Sequence, residues 1–311
     1  MLIRVGAGFV LFFGSMAGGW WLRRRGLMPE ARASALVRFV VTVTSPAVLC
    51  FSFWRMPLRH REPWLLPLLG FCIASASLIP AYLYARRALT RPQAGSFLAA
   101  AFFSNLGYFG AFTAFALFGE AGYALAMLYL VFFTPCFYTL GFWIGASYGH
   151  SAAPGRRPTA YGDRLRFIPF LGMLAGALLN LAGVPRPVPL EALNHVLIPV
   201  DTALYLLAIG SQVRYVSPRP WLRPCLVMSA IKFLYAPAVA WGLVTLMRLT
   251  GLPRAIVLLE AATPVGVSPL MLPLLFGLNR SLASALWLFT TLAAVAWFFL
   301  VIPALSRLPL L

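Results

Sequence analysis

The sequence predicts an all-α polytopic membrane protein, with ten transmembrane helices arranged as two inverted repeats of five, helices four and nine being broken. Three observations carry this. The chain is 61% hydrophobic and only 10% charged over 311 residues, with a mean hydropathy of +0.85, whereas an ordinary soluble domain is about 25% charged. Its apolar residues fall into ten runs of membrane-spanning length. Motifs of the first half recur in the second at a near-constant shift. So few ionic groups exclude a soluble domain of this size, a disordered chain and a secreted disulfide scaffold.

A transmembrane helix needs about 20 mainly apolar residues. The runs lie at 4–22, 34–53, 64–85, 94–117, 121–146, 167–183, 193–213, 224–247, 253–277 and 282–304. The first is not a signal peptide by its charges. A signal peptide places its positive residues before the apolar run, but here Arg23, Arg24 and Arg25 follow it and only Arg4 precedes it. An uncleaved helix with its N-terminus outside is expected. That orientation puts sixteen arginines in inside segments and eight in outside ones, and cytoplasmic loops carry the excess. Both termini are therefore expected outside, with Arg55, Arg59 and Arg61 as the dissenting group. The net charge of +18 is then loop charge facing acidic lipid headgroups, and nucleic acid is not an expected partner.

The repeat is read from matched positions. Phe118-Gly119 recurs as Phe276-Gly277, and Gly14 and Gly18 match Gly172 and Gly176, each at a shift of 158. Pro80 matches Pro237 at 157, and Pro46 matches Pro199 at 153. Five spans per half is odd, so the halves enter from opposite sides, as in many secondary transporters. The first repeat is 1–150, the second 167–311, and residues 151–166 form a cytoplasmic linker. The Gly-x-x-x-Gly pairs fit close helix packing and are expected to be scaffold.

The fourth run contains Ser104-Asn105-Leu106-Gly107-Tyr108-Phe109-Gly110, and its partner in the ninth reads Ala262-Thr263-Pro264-Val265-Gly266-Val267-Ser268-Pro269. Proline lacks an amide proton and glycine loosens the backbone, so both stretches should break a helix. An opened backbone survives in hydrocarbon only where protein or a wet cavity satisfies it. Two breaks at matching depth imply a shared polar site. New helix N-termini begin there, with free N–H groups suited to a carboxylate. Ser104, Asn105, Thr263 and Ser268 add neutral hydrogen-bonding side chains. Simple kinks with self-satisfied hydroxyls are the structural alternative.

Few ionisable residues fall inside the spans: Asp201, Lys232 (the one lysine) and Glu260. Such groups are costly in a bilayer and are paired or face water. Each is a candidate for ion coupling or anion attraction, or else a structural ion pair. Pro46 and Pro199 are expected helix-breaking points. Cys50, Cys72, Cys136 and Cys225 lie singly in apolar runs and read as inert thiols. His60, His150 and His195 form no metal or triad pattern. No catalytic residue, metal site or cofactor is expected, and the chain is not expected to be an enzyme.

These motifs resemble the auxin efflux carrier (AEC) family, which includes PIN-like and malonate- or malate-type bacterial permeases. The resemblance rests on Leu22-Arg23-Arg24-Arg25-Gly26-Leu27 followed by Pro46, on Asn105 through Glu120, on Ile198-Pro199 through Gly210, and on Thr263 through Ser268. It implies a ten-helix fold in which helices four and nine cross at their breaks and bind a small organic anion there. Asn105, Gly107, Gly110 and Pro264 are the matching site positions. The chain departs from the family at Phe112, Ser268, Asn279 and Asp201. The resemblance implies a permease of the bacterial inner membrane working by alternating access, coupled to H+ or uncoupled. A sodium-coupled bile-acid-type symporter is the alternative within transporters; an intramembrane enzyme or a sensor is the alternative outside them. Expected partners are the bilayer, a carboxylate, H+ or Na+ as coupling ion and, as an option, a second copy of the chain.

Overall fold

The computed structural model describes residues 2–56, 58, 60–149, 167–212 and 216–305. The expected linker, 151–166, lies outside the described residues. Among these the chain is helical throughout, apart from turns and one bridged residue pair. Six helical stretches among the described residues are long and apolar enough to cross a membrane: Glu30–Trp54, Glu62–Ala88, Leu106–Tyr148, Val188–Gln212, Arg219–Leu246 and Arg280–Trp297. The number is below ten partly because two helices stop early. Arg91–Phe102 has 12 residues and Gly251–Ala261 has 11, each too short to span alone. Conversely, Leu106–Tyr148 has 43 residues, about two spans' worth. It is interrupted at Gly119, whose φ of 67° leaves the helical region and suits a residue without a side chain. Its repeat match, Gly277, has a φ of 70° and ends the helix before it.

The chain forms two compact units, and each draws on both halves of the sequence. The first comprises Met1–Pro63, Gly107–Met127 and Arg157–Arg214; the second Trp64–Leu106, Leu128–Arg156 and Tyr215–Leu311.

In the first unit, α1 (Leu2–Arg24) runs along α10 (Val188–Gln212), and α9 (Ile168–Leu181) along α3 (Ser45–Trp54). Glycine sets both seams. A Cβ on Gly172 would sit 2.2 Å from the Pro46 carbonyl oxygen, and one on Gly176 2.1 Å from that of Cys50. Only a bare α-carbon lets backbones approach so closely. The expectation for Gly14 and Gly18 is corrected, because neither has a neighbour within 4 Å of an added Cβ. Gly19 does the work instead, against the Leu207 carbonyl, with Gly210 against that of Met16. A π turn, Val40–Thr44, joins α2 (Glu30–Phe39) to α3. It lies where Pro46 withholds the amide that would bond Thr42. By contrast, α10 is continuous through Pro199. Asn180 on α9 closes the end of α3 by donating to the carbonyls of Trp54 and Met56, at 2.7 Å each, the first of which would otherwise be orphaned.

The second unit contains α4 (Glu62–Ala88), α5 (Arg91–Phe102), α8 (Phe142–Tyr148), α11 (Leu222–Ala230), α12 (Ala236–Leu246), α13 (Gly251–Ala261), α14 (Leu272–Phe276) and α15 (Arg280–Leu305). α15 packs on α5 and α11, and α8 on α5. A capping box starts α5: Thr90 precedes it and its amide donates to Gln93 Oε1 at 3.0 Å, satisfying an N-terminal donor. Residues 94–102 of α5 and 255–261 of α13 are buried without interruption. A helix apolar all round belongs in an interior, so these two short helices form the middle of the unit.

Candidate functional site

The second break and the start of the first, Phe103–Leu106, lie in the second unit, and they pair. After Phe102 the chain turns extended at Phe103. After Ala261 it leaves the helix because Pro264 disfavours helical backbone at Thr263; Pro269 then opens a new turn, Ser268–Met271, where a fixed φ is favourable. Ser104 and Val265 form an antiparallel bridge. The Asn105 amide donates to the Pro264 carbonyl at 2.7 Å, and the Gly266 amide to the Phe103 carbonyl at 2.9 Å. Each opened backbone is thus satisfied by the other, which is what hydrocarbon surroundings demand. The approach is tight, for a Cβ on Gly266 would lie 2.8 Å from the Ser104 carbonyl oxygen. Thr290 of α15 completes the crossing. Its hydroxyl oxygen accepts from the Val265 amide at 3.1 Å and donates to the Leu286 carbonyl at 2.8 Å.

Lys232 reaches this crossing. It sits in a π turn, Ile231–Tyr235, between α11 and α12. Its side chain is 1% exposed. The ammonium donates to the Ala101 carbonyl at 2.6 Å and to Ser104 Oγ at 2.7 Å. Ala101 lies in the last turn of α5, where carbonyls are unpaired and the helix dipole is negative. The sole lysine therefore caps the helix that ends at the first break and brings its amino group to the crossing.

Glu260 is in the last turn of α13 and is wholly buried. Its backbone carbonyl accepts from Thr263 Oγ1 at 2.8 Å. Its two carboxyl oxygens have no hydrogen-bond partner among the described residues. It lines a narrow cavity with Ser77, Ser104 and Tyr129.

Of the sequence-read positions, Asn105, Thr263 and Pro264 are brought together at the crossing, buried. Ser268 lies just beyond it, half-buried, at the start of its turn. Gly107 and Gly110 lie in the π turn Leu106–Ala111, where the chain passes into the first unit. Asp201 also belongs to the first unit. It is 2% exposed, and its Oδ1 accepts from Thr44 Oγ1 at 2.5 Å and Ser45 Oγ at 2.8 Å. The hydroxyl pair Thr44-Ser45, just before Pro46, is the sequence signal for these partners.

A further cluster in the first unit escaped the sequence altogether. Arg186 forms a two-pronged ion pair with Glu120, its side chain 5% exposed and that of Glu120 11%. Arg186 also donates to the Phe51 carbonyl at 2.8 Å. Asn194 donates to Glu120 at 2.6 Å and to Ser52 at 2.9 Å. Both ions had read as loop residues.

Residues 9–154 match the family model described as membrane transport protein, the auxin efflux carrier-like family that the motifs resemble. The match covers just under half of the chain. The chain is also similar to an uncharacterized transporter of Methanothermobacter thermautotrophicus, at 24% identity over 279 residues, covering 89% of this chain and 90% of that one. This similarity runs past residue 154, so it takes in the second break, Lys232 and Glu260 of the transport protein. The protein is an integral membrane transporter, which implies a bilayer and a small-molecule substrate.

Proposed function

We propose that this membrane transport protein is a secondary transporter moving a small organic anion, a carboxylate, by alternating access. Its substrate site is the crossing: Asn105, Thr263, Pro264 and Ser268, with Gly107 and Gly110 following the first break. The observation that carries the reading is a cation placed where two broken helices pair. Lys232 Nζ stands 2.7 Å from Ser104 Oγ, beside a backbone already opened at both breaks. New helical segments start at Leu106 and Ser268, and helix N-termini favour anions.

The architecture in this reading is ten spans in two inverted repeats, 1–150 and 167–311, joined by 151–166, with both termini outside a bacterial inner membrane. Two features support it. The matched glycines Gly119 and Gly277 share a positive φ. The matched breaks pair antiparallel with one another, as segments related by a two-fold axis do. Dimerisation stays an option of this reading.

The test is uptake of labelled carboxylates (malonate, malate and indole-acetate) into proteoliposomes. Lys232→Met is expected to cut uptake at least tenfold, about 1.4 kcal/mol of lost anion stabilisation, and Asn105→Ala with Pro264→Ala to cut it similarly. Uptake that both variants retain would place the site elsewhere.

A further inference from the structure

Glu260 has no role in the anion site described above, yet it is the least satisfied polar group near it. It is wholly buried, and neither carboxyl oxygen is hydrogen-bonded among the described residues. The residue lines a narrow cavity. An ionised carboxylate left so would carry a desolvation cost far above that of any neutral group. No ion pair joins it to Lys232, whose ammonium is committed to Ala101 and Ser104.

We propose that Glu260 is the proton carrier of the transport cycle, protonated while this cavity is closed. The inference rests on the transport reading and names its coupling ion. On opening to water, the carboxyl O–H bond breaks, the proton passes to a water molecule, and the electron pair stays on Glu260 as a carboxylate. That carboxylate needs a counter-charge, and Lys232 is hydrogen-bonded at the crossing. A substrate carboxylate needs the same cation. While the anion holds Lys232, Glu260 stays neutral, so anion and proton travel together.

The surroundings favour a proton over sodium. A hard cation wants about six oxygen ligands. Beyond the carboxyl, the wall offers chiefly Ser77, which already donates to the Ile73 carbonyl at 2.9 Å, Ser104 and Tyr129. A sodium ion on Ser104 Oγ would share that oxygen with an ammonium 2.7 Å away, a like-charge contact in a dry setting. Among titratable groups, Tyr129 lines the cavity, α4 contributes Ser77 and no acid or base, and Lys232 approaches through Ser104. Arg254, on the same helix as Glu260, is turned over the Trp241 ring at 4.9 Å.

The test is infrared difference spectroscopy of the full chain in lipid nanodiscs, stepped from about pH 9 to about pH 5, a range bracketing shifted carboxyls. The wild-type-minus-E260Q spectrum is expected to contain a protonated-carboxyl C=O band that persists when sodium chloride replaces choline chloride. No such difference band would overturn the proposal, and so would a band that sodium abolishes. Should E260Q not fold, dicyclohexylcarbodiimide labelling of the wild type decides, because this reagent modifies protonated carboxyls in apolar surroundings. An adduct on Glu260 that forms faster at lower pH is the expected result; its absence overturns the assignment. Neither measurement needs a substrate. Carboxylate uptake without these signals would remove the proton site and leave the transport reading, and the signals without uptake would do the reverse.

Discussion

The two units handle their buried acids in opposite ways. In the first, Asp201 is met by two hydroxyls, and Glu120 by Arg186 and Asn194. Its helices are drawn together by glycines against bare backbone. In the second, two helices are interrupted inside the interior, one ammonium is spent on the break, and a carboxyl is left unmet. Local rules are broken where a protein needs chemistry and kept where it needs rigidity. The first unit therefore reads as frame and the second as machinery. Substitutions should separate them: in the first they should cost stability, in the second activity.

The largest expected effect is in the frame. Arg186→Ala leaves Glu120 buried without its cation, and breaking a buried pair this way costs about 3–5 kcal/mol. Thermal unfolding of the detergent-purified variant should show a steep loss. A melting curve close to wild type would mean that the cluster is wetter than its burial indicates. Next comes Gly176→Ala. Its Cβ would fall 2.1 Å from a backbone oxygen that cannot rotate away, so α9 and α3 must separate at a cost of about 1–3 kcal/mol. Gly14→Ala is the control and should melt within about 0.5 kcal/mol of wild type. Equal losses at both positions would refute the glycine seam.

The control also shows how much was legible in the sequence. The breaks were, because Pro264 and the Asn-Leu-Gly run carry their own backbone consequences. So were the embedded ions, since a charge within an apolar run is conspicuous. Which glycines form a seam was not. Gly14-x-x-x-Gly18 has the same spacing as Gly172-x-x-x-Gly176, and only the azimuth of α1 brings Gly19 to Leu207 instead. The Glu120–Arg186 pair was hidden for a related reason. Each residue sits at a connection where charge is ordinarily solvated, and only tertiary packing covers them. The grouping into two units mixes both halves of the chain, and no local pattern encodes that.

The machinery should respond the other way. Glu260→Met replaces an unmet carboxyl by an apolar side chain of similar length. Such exchanges are often neutral or stabilising, so the variant should melt at or above wild type, by up to about 1–2 kcal/mol. If it unfolds as readily as Arg186→Ala, Glu260 has partners that hold the unit together, and the contrast between the units fails.

The smallest effect tests whether burial, and not charge pairing as such, makes the frame. Arg55 and Glu191 also form an ion pair in the first unit, but their side chains are 63% and 44% exposed. Water and salt screen such a pair, and ordering two long side chains offsets what remains. Arg55→Ala should then cost less than about 1 kcal/mol. Glu191 would still lie 3.6 Å from Arg186, so it is not left without a cation. The comparison with Arg186→Ala is internal, because the two arginines share Glu191 and differ chiefly in exposure. Melting both variants at low and high salt should shrink the Arg55 effect toward zero while leaving most of the Arg186 effect. Comparable losses, equally sensitive to salt, would mean that the whole cluster is solvated and that the frame owes its rigidity to the glycine seams alone.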